Sequence, residues 1–509
     1  MQPLLTAEQM RAADQESVQS FELPELLLME HAALALLRAL ENRFGELLPK
    51  TRGVVLAGIG NNGGDVLAAT RLLMEKGCQN VFVVLVGAGK PLSASAQKQL
   101  ALLAHLGVAW GKELSPELLG ACDWILDGIL GTGLSRPLDS SISQTIELVN
   151  QFAGKKWILS ADIPSGLSAD TGHPLPVAVR ASATVTFGFH KRGLVTGEAV
   201  NYVGELSLAS IQIPATVSSQ TWNSFLYSEE DASRLPVRRK DSHKGDFGRV
   251  AIIAGPANRE GAAALSALGA LKTGAGLVTV HAPADTIQTL RPRLVPEVMT
   301  EVLGDALFKN THRTSIVVGP GLGTDAEGWA TLKRVLERKD PLVVDADGLT
   351  LLAQHATAAG KLLSVRADCP TILTPHPKEA AVLLSCTVAE VEADRYTSVR
   401  ALSDQWKCAV VLKGAGSLCT SPGNPIVAVR AGDSGLSKGG SGDVLSGILA
   451  SFLAQNLTVA QAAPLAVFVH GRASELLTAR YGHSRSSLAG EVASAVADVL
   501  GDLEWKASK

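Results

Sequence analysis

Aromatic side chains make up only 4% of this 509-residue chain, too few for the stacking platforms that hold single-stranded nucleic acids. A surplus of either charge is also missing. The 46 basic and 49 acidic residues leave a formal net charge of −3, which provides no electrostatic footprint for a nucleic-acid backbone. Nucleic acid is thereby excluded as an expected partner. The six cysteines, at positions 78, 122, 369, 386, 408 and 419, form no C-x-x-C pair and no zinc-ligand spacing. Most have apolar neighbours, as buried thiols do, which favours a reducing compartment. No apolar run approaches the roughly 18 residues of a membrane span. The Met1–Glu16 stretch lacks the basic start and apolar core of a secretory signal. These absences lead to the expectation of a cytoplasmic protein with no membrane partner.

Apolar residues, at 46%, and glycines, at 49, are abundant. At roughly 150 residues per domain, the length calls for two or more domains. The glycines predict many tight turns or phosphate-type loops. Thr6-Ala7-Glu8-Gln9 has the pattern of a capping box, and Pro24 marks the first turn of a second helix. That helix keeps an apolar face through Leu40 and stops near Gly45.

Short unbroken apolar runs follow at Val54–Ala57, Val81–Val86, Trp124–Leu126, Trp157–Ala161 and Ala183–Phe187, most of them separated by helix-length segments. The rhythm lapses between Pro214 and Asp246. It resumes at Val250–Ala254, Leu277–His281, Ile316–Gly319, Leu342–Val344, Thr371–Thr374 and Val410–Leu412. Such runs alternating with helices predict parallel strands buried on both faces. The expected fold class is α/β in two tandem domains, 1–215 and 243–509, joined by a linker over 216–242. No short repeat period suggests a solenoid or propeller.

In open α/β sheets, ligands bind beyond the carboxyl ends of the strands. Three such ends in the first half carry polar residues. Gly58-Ile59-Gly60-Asn61-Asn62-Gly63-Gly64-Asp65 fits G-x-G-x-x-G at 58, 60 and 63, so its backbone amides can reach a phosphate. The acidic residue that a dinucleotide-binding dehydrogenase carries after the next strand is missing, because that strand ends Val86-Gly87. Asp127 precedes Gly131-Thr132-Gly133-Leu134-Ser135-Arg136, where Arg136 could grip an anion. Asp162-Ile163-Pro164-Ser165-Gly166 forms the third end. Taken singly, Asp127 and Asp162 read as helix caps or turn residues. Convergence on one sheet edge favours a site.

In the second half, Lys438-Gly439-Gly440-Ser441-Gly442-Asp443 precedes a helical apolar pattern. Gly440, Ser441 and Gly442 form an anion hole of amides at a helix start. Asp443 is positioned to take a proton from an attacking hydroxyl; the plain alternative is a capping aspartate. Neither a P-loop nor a G-x-S-x-G elbow is present. Lys413-Gly414-Ala415-Gly416-Ser417 could receive nucleotide phosphates. Gly319-Pro320-Gly321-Leu322-Gly323-Thr324 permits close backbone approach. Thr374-Pro375-His376-Pro377-Lys378-Glu379 presents an imidazole between two prolines, and Asp345-Ala346-Asp347 either caps a helix or orients Mg²⁺ through water.

Asn61–Asp65, Asp127 with Gly131-Thr132-Gly133, and Asp162–Gly166, in that order over about residues 1–215, resemble the signature set of NAD(P)H-hydrate epimerases. The resemblance implies a Rossmann-like three-layer sandwich that interconverts the R and S forms of NADHX and NADPHX, nicotinamide rings hydrated at C6. It implies that Asp162 is the acid/base and that K⁺ sits on Asn62, Asp127 and Ser165. Substrate would be held by Asn61, Asn62, Gly63, Gly64, Asp65 and the Gly131, Thr132, Gly133, Leu134, Ser135, Arg136 stretch.

From about His243 onward the motifs resemble the ribokinase-like superfamily, and more narrowly its ADP/ATP-dependent NAD(P)H-hydrate dehydratases. That resemblance implies (S)-NAD(P)HX contacts at Gly323, His376 and Asp443. It places adenine nucleotide, as ADP or ATP with Mg²⁺, on Lys413, Gly414, Ala415, Gly416, Ser417 and Gly442. The expected reaction phosphorylates the C6 hydroxyl and then expels phosphate. Two rivals are a vitamin-precursor kinase fused to a non-catalytic nucleotide-binding domain, and a non-enzymatic nucleotide sensor. A homo-oligomer is expected because closed symmetric assemblies are common.

Overall fold

The computed structural model describes residues 1–87, 91–134, 136–214, 216–217, 222–232, 235, 238–256, 258–309 and 314–507. Two compact units divide the chain, one of Gln2–Ser224 and one of Phe225–Lys509 together with Met1.

The first unit opens with β1 (Gln2–Leu5), α1 (Ala7–Gln19) and α2 (Glu25–Phe44). The capping box at Thr6 is formed: its hydroxyl accepts from the Gln9 amide at 3.1 Å, and the Gln9 side chain accepts from the Thr6 amide at 2.9 Å. Pro24 stands one residue before α2 as its N-cap, not inside the first turn. Next come β2 (Gly53–Ala57), α3 (Asn61–Glu75), β3 (Val81–Leu85), β4 (Ala109–Gly111), β5 (Trp124–Gly128) and β6 (Trp157–Ala161). β7 (Ala183–Phe187), β8 (His190–Lys191) and β9 (Glu205–Ala209) complete the strands of this unit. A seven-stranded parallel sheet runs β4-β3-β2-β5-β6-β7-β9.

The unbroken apolar runs arise because both sheet faces are covered. Val54 and Leu56 enter one core with Ile125 and Ile158, while Val55 and Ala57 enter the other with Leu36, Leu40 and Leu67. This is the period-two alternation of a strand between two helical layers. The strand order reverses between β2 and β5, which opens a crevice where their following loops part. Edge strand β9 escapes the apolar-run pattern because only Leu206 and Ala209 of its residues are even half-buried.

Over 216–242, expected to be a linker, the described residues include β10 (Ser224–Leu226) and a short helix, Glu229–Ala232. The second unit carries β11 (Arg249–Ile253), β12 (Leu277–Ala282), β13 (Met299–Val302), β14 (Ser315–Val318) and β15 (Leu342–Val344). β16 (Thr371–Leu373), β17 (Ala409–Leu412), β18 (Ser417–Thr420) and β19 (Ile426–Val429) follow. They align as β13-β12-β11-β14-β15-β16-β17-β18-β19. The sheet is parallel as far as β17, and then β17, β18 and β19 pair antiparallel. Ser417, expected in a phosphate loop, begins β18.

Val250, Ile252, Val317, Val343 and Ile372 pack in one core with Leu445, Ile448 and Leu449 of the Ser441–Ala454 helix. Each fully buried side chain of this size contributes about 1.5–3 kcal/mol. The helix bearing the Gly440–Asp443 motif is thus fixed to the sheet from beneath. Among the described residues, no helix is long and apolar enough to cross a membrane.

Candidate functional site

A cavity of about 780 Å³ lies in the first unit, where α1, the start of α2 and the loops after β2 and β5 meet. Asn61, Asn62, Asp65, Gly131, Thr132, Gly133, Leu134, Arg136 and Asp162 all line it. Ser135 lies outside the described residues. Gly63 and Gly64 do not line it, contrary to expectation; both are buried in the first turn of α3. A Cβ on Gly63 would stand 2.0 Å from the Gly58 carbonyl oxygen. Its bare backbone lets α3 close against the end of β2.

Asp162 follows β6 with φ +64°, a left-handed conformation that aspartate tolerates better than most residues. Its Oδ1 accepts from the amide of Phe187 at 3.1 Å, the hydroxyl of Thr186 at 3.2 Å and the ammonium of Lys191. Lys191 is fully buried and also donates to the Thr186 hydroxyl at 3.0 Å and the Phe187 carbonyl at 2.8 Å. These charge-assisted bonds hold the Asp162 carboxylate in one orientation.

Asp14, on α1, and Asp65, on α3, line the same cavity. Burial raises the Asp65 pKa well above the usual carboxylate range, aided by the negative charges of Asp162, Asp14 and Glu25. Burial pushes Asp14 up to about 6; Lys191 opposes the shift, and Asp162 and Glu25 add to it. The motif reading missed both Asp14 and Lys191. For Lys191 one signal was available, a lysine at the end of the otherwise uncharged stretch Ala183–Lys191. Asp14 sits in a polar helix face with nothing to single it out.

Asp127 is the penultimate residue of β5, at its carboxyl end as expected, opposite Leu56 and Ser160. It is completely buried and accepts from Ser160 at 2.8 Å, from the Ser165 amide and hydroxyl at 2.9 and 2.5 Å, and from the Ile129 amide at 3.3 Å. Burial raises its pKa, and these hydrogen bonds oppose the rise. The Leu130 carbonyl accepts from the Asn62 amide group at 2.9 Å and from the Ser165 hydroxyl at 3.2 Å, joining the three loops. Among the described residues Asn62 Oδ1 is buried without a hydrogen-bond partner. Asn62 and Ser165 meet at the Leu130 carbonyl, and Ser165 bonds Asp127, so the three side chains offer oxygen donors of the kind a hard cation takes. Among the described residues no group of three or more His, Cys, Asp or Glu side chains is set to hold a metal ion.

The second unit gathers its groups at the ends of β14 to β17. Asp345 accepts from Lys413 Nζ and from the Ser446 hydroxyl, each at 2.8 Å. Burial works to raise the Asp345 pKa, but the Lys413 charge and the hydrogen bonds from Lys413, Ser446 and Thr374 outweigh it and lower the value. Lys413 also lies 3.9 Å from Glu379. Burial raises the Glu379 pKa, with Lys413 opposing. Asp347 accepts from the Gly323 amide and from Arg259, both at 2.9 Å. Ala346 between the two aspartates has φ +47°, which sends the two carboxylates to separate partners.

Asp443 lies in the first turn of the Ser441–Ala454 helix, whose N-cap Gly440 has φ +93°. Burial pushes its pKa up to about 7; Asp345 and Asp347 add to the rise, and Lys413 opposes it. Gly442 faces the same pair, since a Cβ there would lie 3.2 Å from Lys413 Nζ and 3.6 Å from Asp345 Oδ2. His376 caps the Pro377–Leu384 helix: its Nδ1 accepts from the amides of Lys378 and Glu379 at 3.1 and 3.2 Å. The proton therefore resides on Nε2. Gly414 and Ala415 are exposed, Gly416 is buried, and the Ser417 hydroxyl donates to the Gly414 carbonyl at 3.0 Å. Gly323, His376, Lys413, Gly442 and Asp443 thus belong to one cluster.

Residues 25–193 match the family described as YjeF-related protein N-terminus, and residues 250–496 the family described as NAD(P)H-hydrate dehydratase. The bifunctional NAD(P)H-hydrate repair enzyme of Escherichia coli (strain K12) is 36% identical over 88% of this chain and 84% of its own length. The enzyme of the same name from Moorella thermoacetica is 33% identical over 98% of this chain and 97% of its own. The chain belongs to the bifunctional NAD(P)H-hydrate repair enzymes. Its first unit is accordingly the epimerase domain and its second the dehydratase domain. Among solved structures, an ADP/ATP-dependent NAD(P)H-hydrate dehydratase from Bacillus subtilis, co-crystallised with ATP and Mg²⁺, is 28% identical. It aligns over 55% of this chain and 99% of its own, with a TM-score of 0.49.

Proposed function

We propose that the first unit interconverts (R)- and (S)-NAD(P)HX and that the second dehydrates the S form to NAD(P)H, consuming ADP or ATP. The reading is carried by the way each unit surrounds one carboxylate beyond the ends of parallel strands, with groups that orient Asp162 and groups that shift the ionisation of Asp443. Epimerisation requires a proton at the C6 carbinolamine to move while a bond to C6 opens and recloses. Asp162, oriented by Lys191, Thr186 and Phe187, accepts and returns that proton. Asn61, Asn62, Asp65 and the Gly131–Arg136 loop hold the nucleotide. Asn62, Asp127 and Ser165 would hold K⁺, whose charge would compensate the buried Asp127 carboxylate and brace the three loops.

In the second unit, Asp443 takes the C6 hydroxyl proton, and the oxygen attacks the terminal phosphorus of the nucleotide. AMP or ADP leaves according to the nucleotide used. The Gly440, Ser441 and Gly442 amides stabilise the phosphoryl charge, worth about 3–4 kcal/mol per key donor. Lys413 and the Gly414–Ser417 turn bind the nucleotide, while Gly323 and His376 place the hydrated ring. Asp345 and Asp347 would hold the Mg²⁺ of the nucleotide through water, and its charge would neutralise the phosphates. The ring nitrogen then expels phosphate from C6, and loss of a C5 proton restores the dihydronicotinamide.

Incubation with mixed NADHX epimers and ADP or ATP, following the absorbance of the reduced ring, tests both halves. Full recovery is expected. No recovery with either nucleotide rejects the dehydratase assignment, and recovery that stops once the S form is consumed rejects the epimerase assignment.

A further inference from the structure

The Asp162 carboxylate is engaged on one oxygen by three donors, including a buried lysine. All three bonds fall on that oxygen, which leaves the other to meet a substrate proton. Opening a bond to C6 also requires a proton donor for the atom that receives the bonding electrons. The cavity contains a second carboxyl group without such restraint. Asp14, on α1, is half-buried against the same space and forms no hydrogen bond among the described residues. It comes from a different element from Asp162, which follows β6, and lies within its electrostatic reach.

We propose that Asp14 is a second catalytic residue of the epimerase site, the acid that works in concert with the base Asp162. This rests on the epimerase reading of the first unit. In the opening step Asp162 takes the proton of the C6 hydroxyl and C6=O forms. The C6–N1 electron pair passes to the ring nitrogen, and the Asp14 carboxylic acid gives N1 a proton. After rotation about C5–C6, the same protons return: Asp14 accepts one from N1 as it attacks the other face of C6, and Asp162 restores the hydroxyl. Atoms and charges balance, and no cofactor is consumed.

The surroundings favour Asp14 for this alternation. The charged groups that line the cavity with it are Arg11 on its own helix, Glu25 on α2, Asp65 on α3, Arg136, Asp139, Asp162 and Lys191. Burial together with the nearby anions brings Asp14 to about 6, close to neutral pH, where a carboxyl can both give and accept a proton. Asp65 is a poorer candidate because complete burial, which pushes its pKa well above the usual range, opposes the ionised form the cycle requires.

The test is the interconversion rate of purified NADHX epimers, above the spontaneous background, for the full chain and for Asp14→Asn and Asp14→Glu, across pH. Asp14→Asn should lower kcat by about 10²–10⁴-fold, the usual worth of a general acid, with KM changed by less than about threefold. Its profile should lose the limb on the alkaline side of pH 6 that reports loss of the acid. Asp14→Glu should recover part of kcat and retain that limb. Thermal unfolding of each variant establishes that the first unit is folded. A folded Asp14→Asn protein with kcat within about threefold of the parent, or with both limbs of the profile unchanged, overturns the proposal. Lack of epimerisation in the parent chain would instead reject the epimerase reading itself.

Discussion

The ammonium of Lys413 donates to Asp345 at 2.8 Å, and both charges act on Asp443, in opposite directions. Asp443 is therefore held between a cation that would ionise it and burial among anions that would protonate it. Dehydration should follow its ionisation, rising with pH through about 7 and levelling above it. Lys413→Met removes the opposing cation, so the midpoint should move to higher pH while the rate falls at least about tenfold. A midpoint unchanged in this variant would separate Lys413 from the state of Asp443.

Asp443→Asn should abolish dehydration and leave epimerisation intact, read from the fate of each epimer by chromatography. Stability offers a second measure. A folded-state pKa raised to about 7 from the ordinary aspartate value of 3.8 means that ionising Asp443 destabilises the fold increasingly from about pH 4 to 7. The asparagine variant should therefore unfold at a higher temperature than the parent at pH 8, with the difference shrinking towards pH 4.

Asp162→Asn should reverse the pattern, losing epimerisation by about 10²-fold or more and keeping dehydration of the S form. Asparagine tolerates the +64° φ at this position, so the loss should reflect chemistry. Lys191→Met should cost both epimerase activity and stability, because it leaves a partly buried carboxylate without its cation. Denaturant unfolding of this variant, compared with Asp162→Asn, separates the two effects.

The orphaned Asn62 Oδ1 gives a readout of K⁺ that does not depend on turnover. The thermal midpoint of the first unit should be higher in potassium chloride than in tetramethylammonium chloride at equal ionic strength. That difference should vanish in Asn62→Leu. Equal midpoints for the parent chain would remove K⁺ from this site.

Gly63→Ala should weaken the first unit by about 1–3 kcal/mol in denaturant titration, because its Cβ would meet the Gly58 carbonyl at 2.0 Å. Gly133, with nothing within 4 Å of such a Cβ, should accept alanine within about 0.5 kcal/mol.

The parallel strands were readable because two covered faces demand continuous apolar residues, as in Val54–Ala57 and Trp157–Ala161. The β18–β19 hairpin was not, since Ser417-Leu418-Cys419-Thr420 follows directly on a glycine-rich turn that reads as loop. Asp162 and Asp443 were legible from glycine and proline neighbours that fix their backbone. Lys191 and Asp14 act through proximity created by folding, 29 and 148 residues from Asp162 in sequence, so local pattern could not assign them. Asp127 was legible at the end of its strand, but its complete burial and its hydrogen bonds from Ser160 and Ser165 were not, because folding brings those partners from other segments.

The left-handed turn at Ala346 gives the dehydratase unit a common reference point. From it Asp345 reaches Lys413 at the head of the expected nucleotide loop, and Asp347 reaches the Gly323 amide in an expected substrate loop and also accepts from Arg259. One tripeptide thus ties the two loops to each other, and a shift of either is passed to the other through the hydrogen bonds of Asp345 and Asp347.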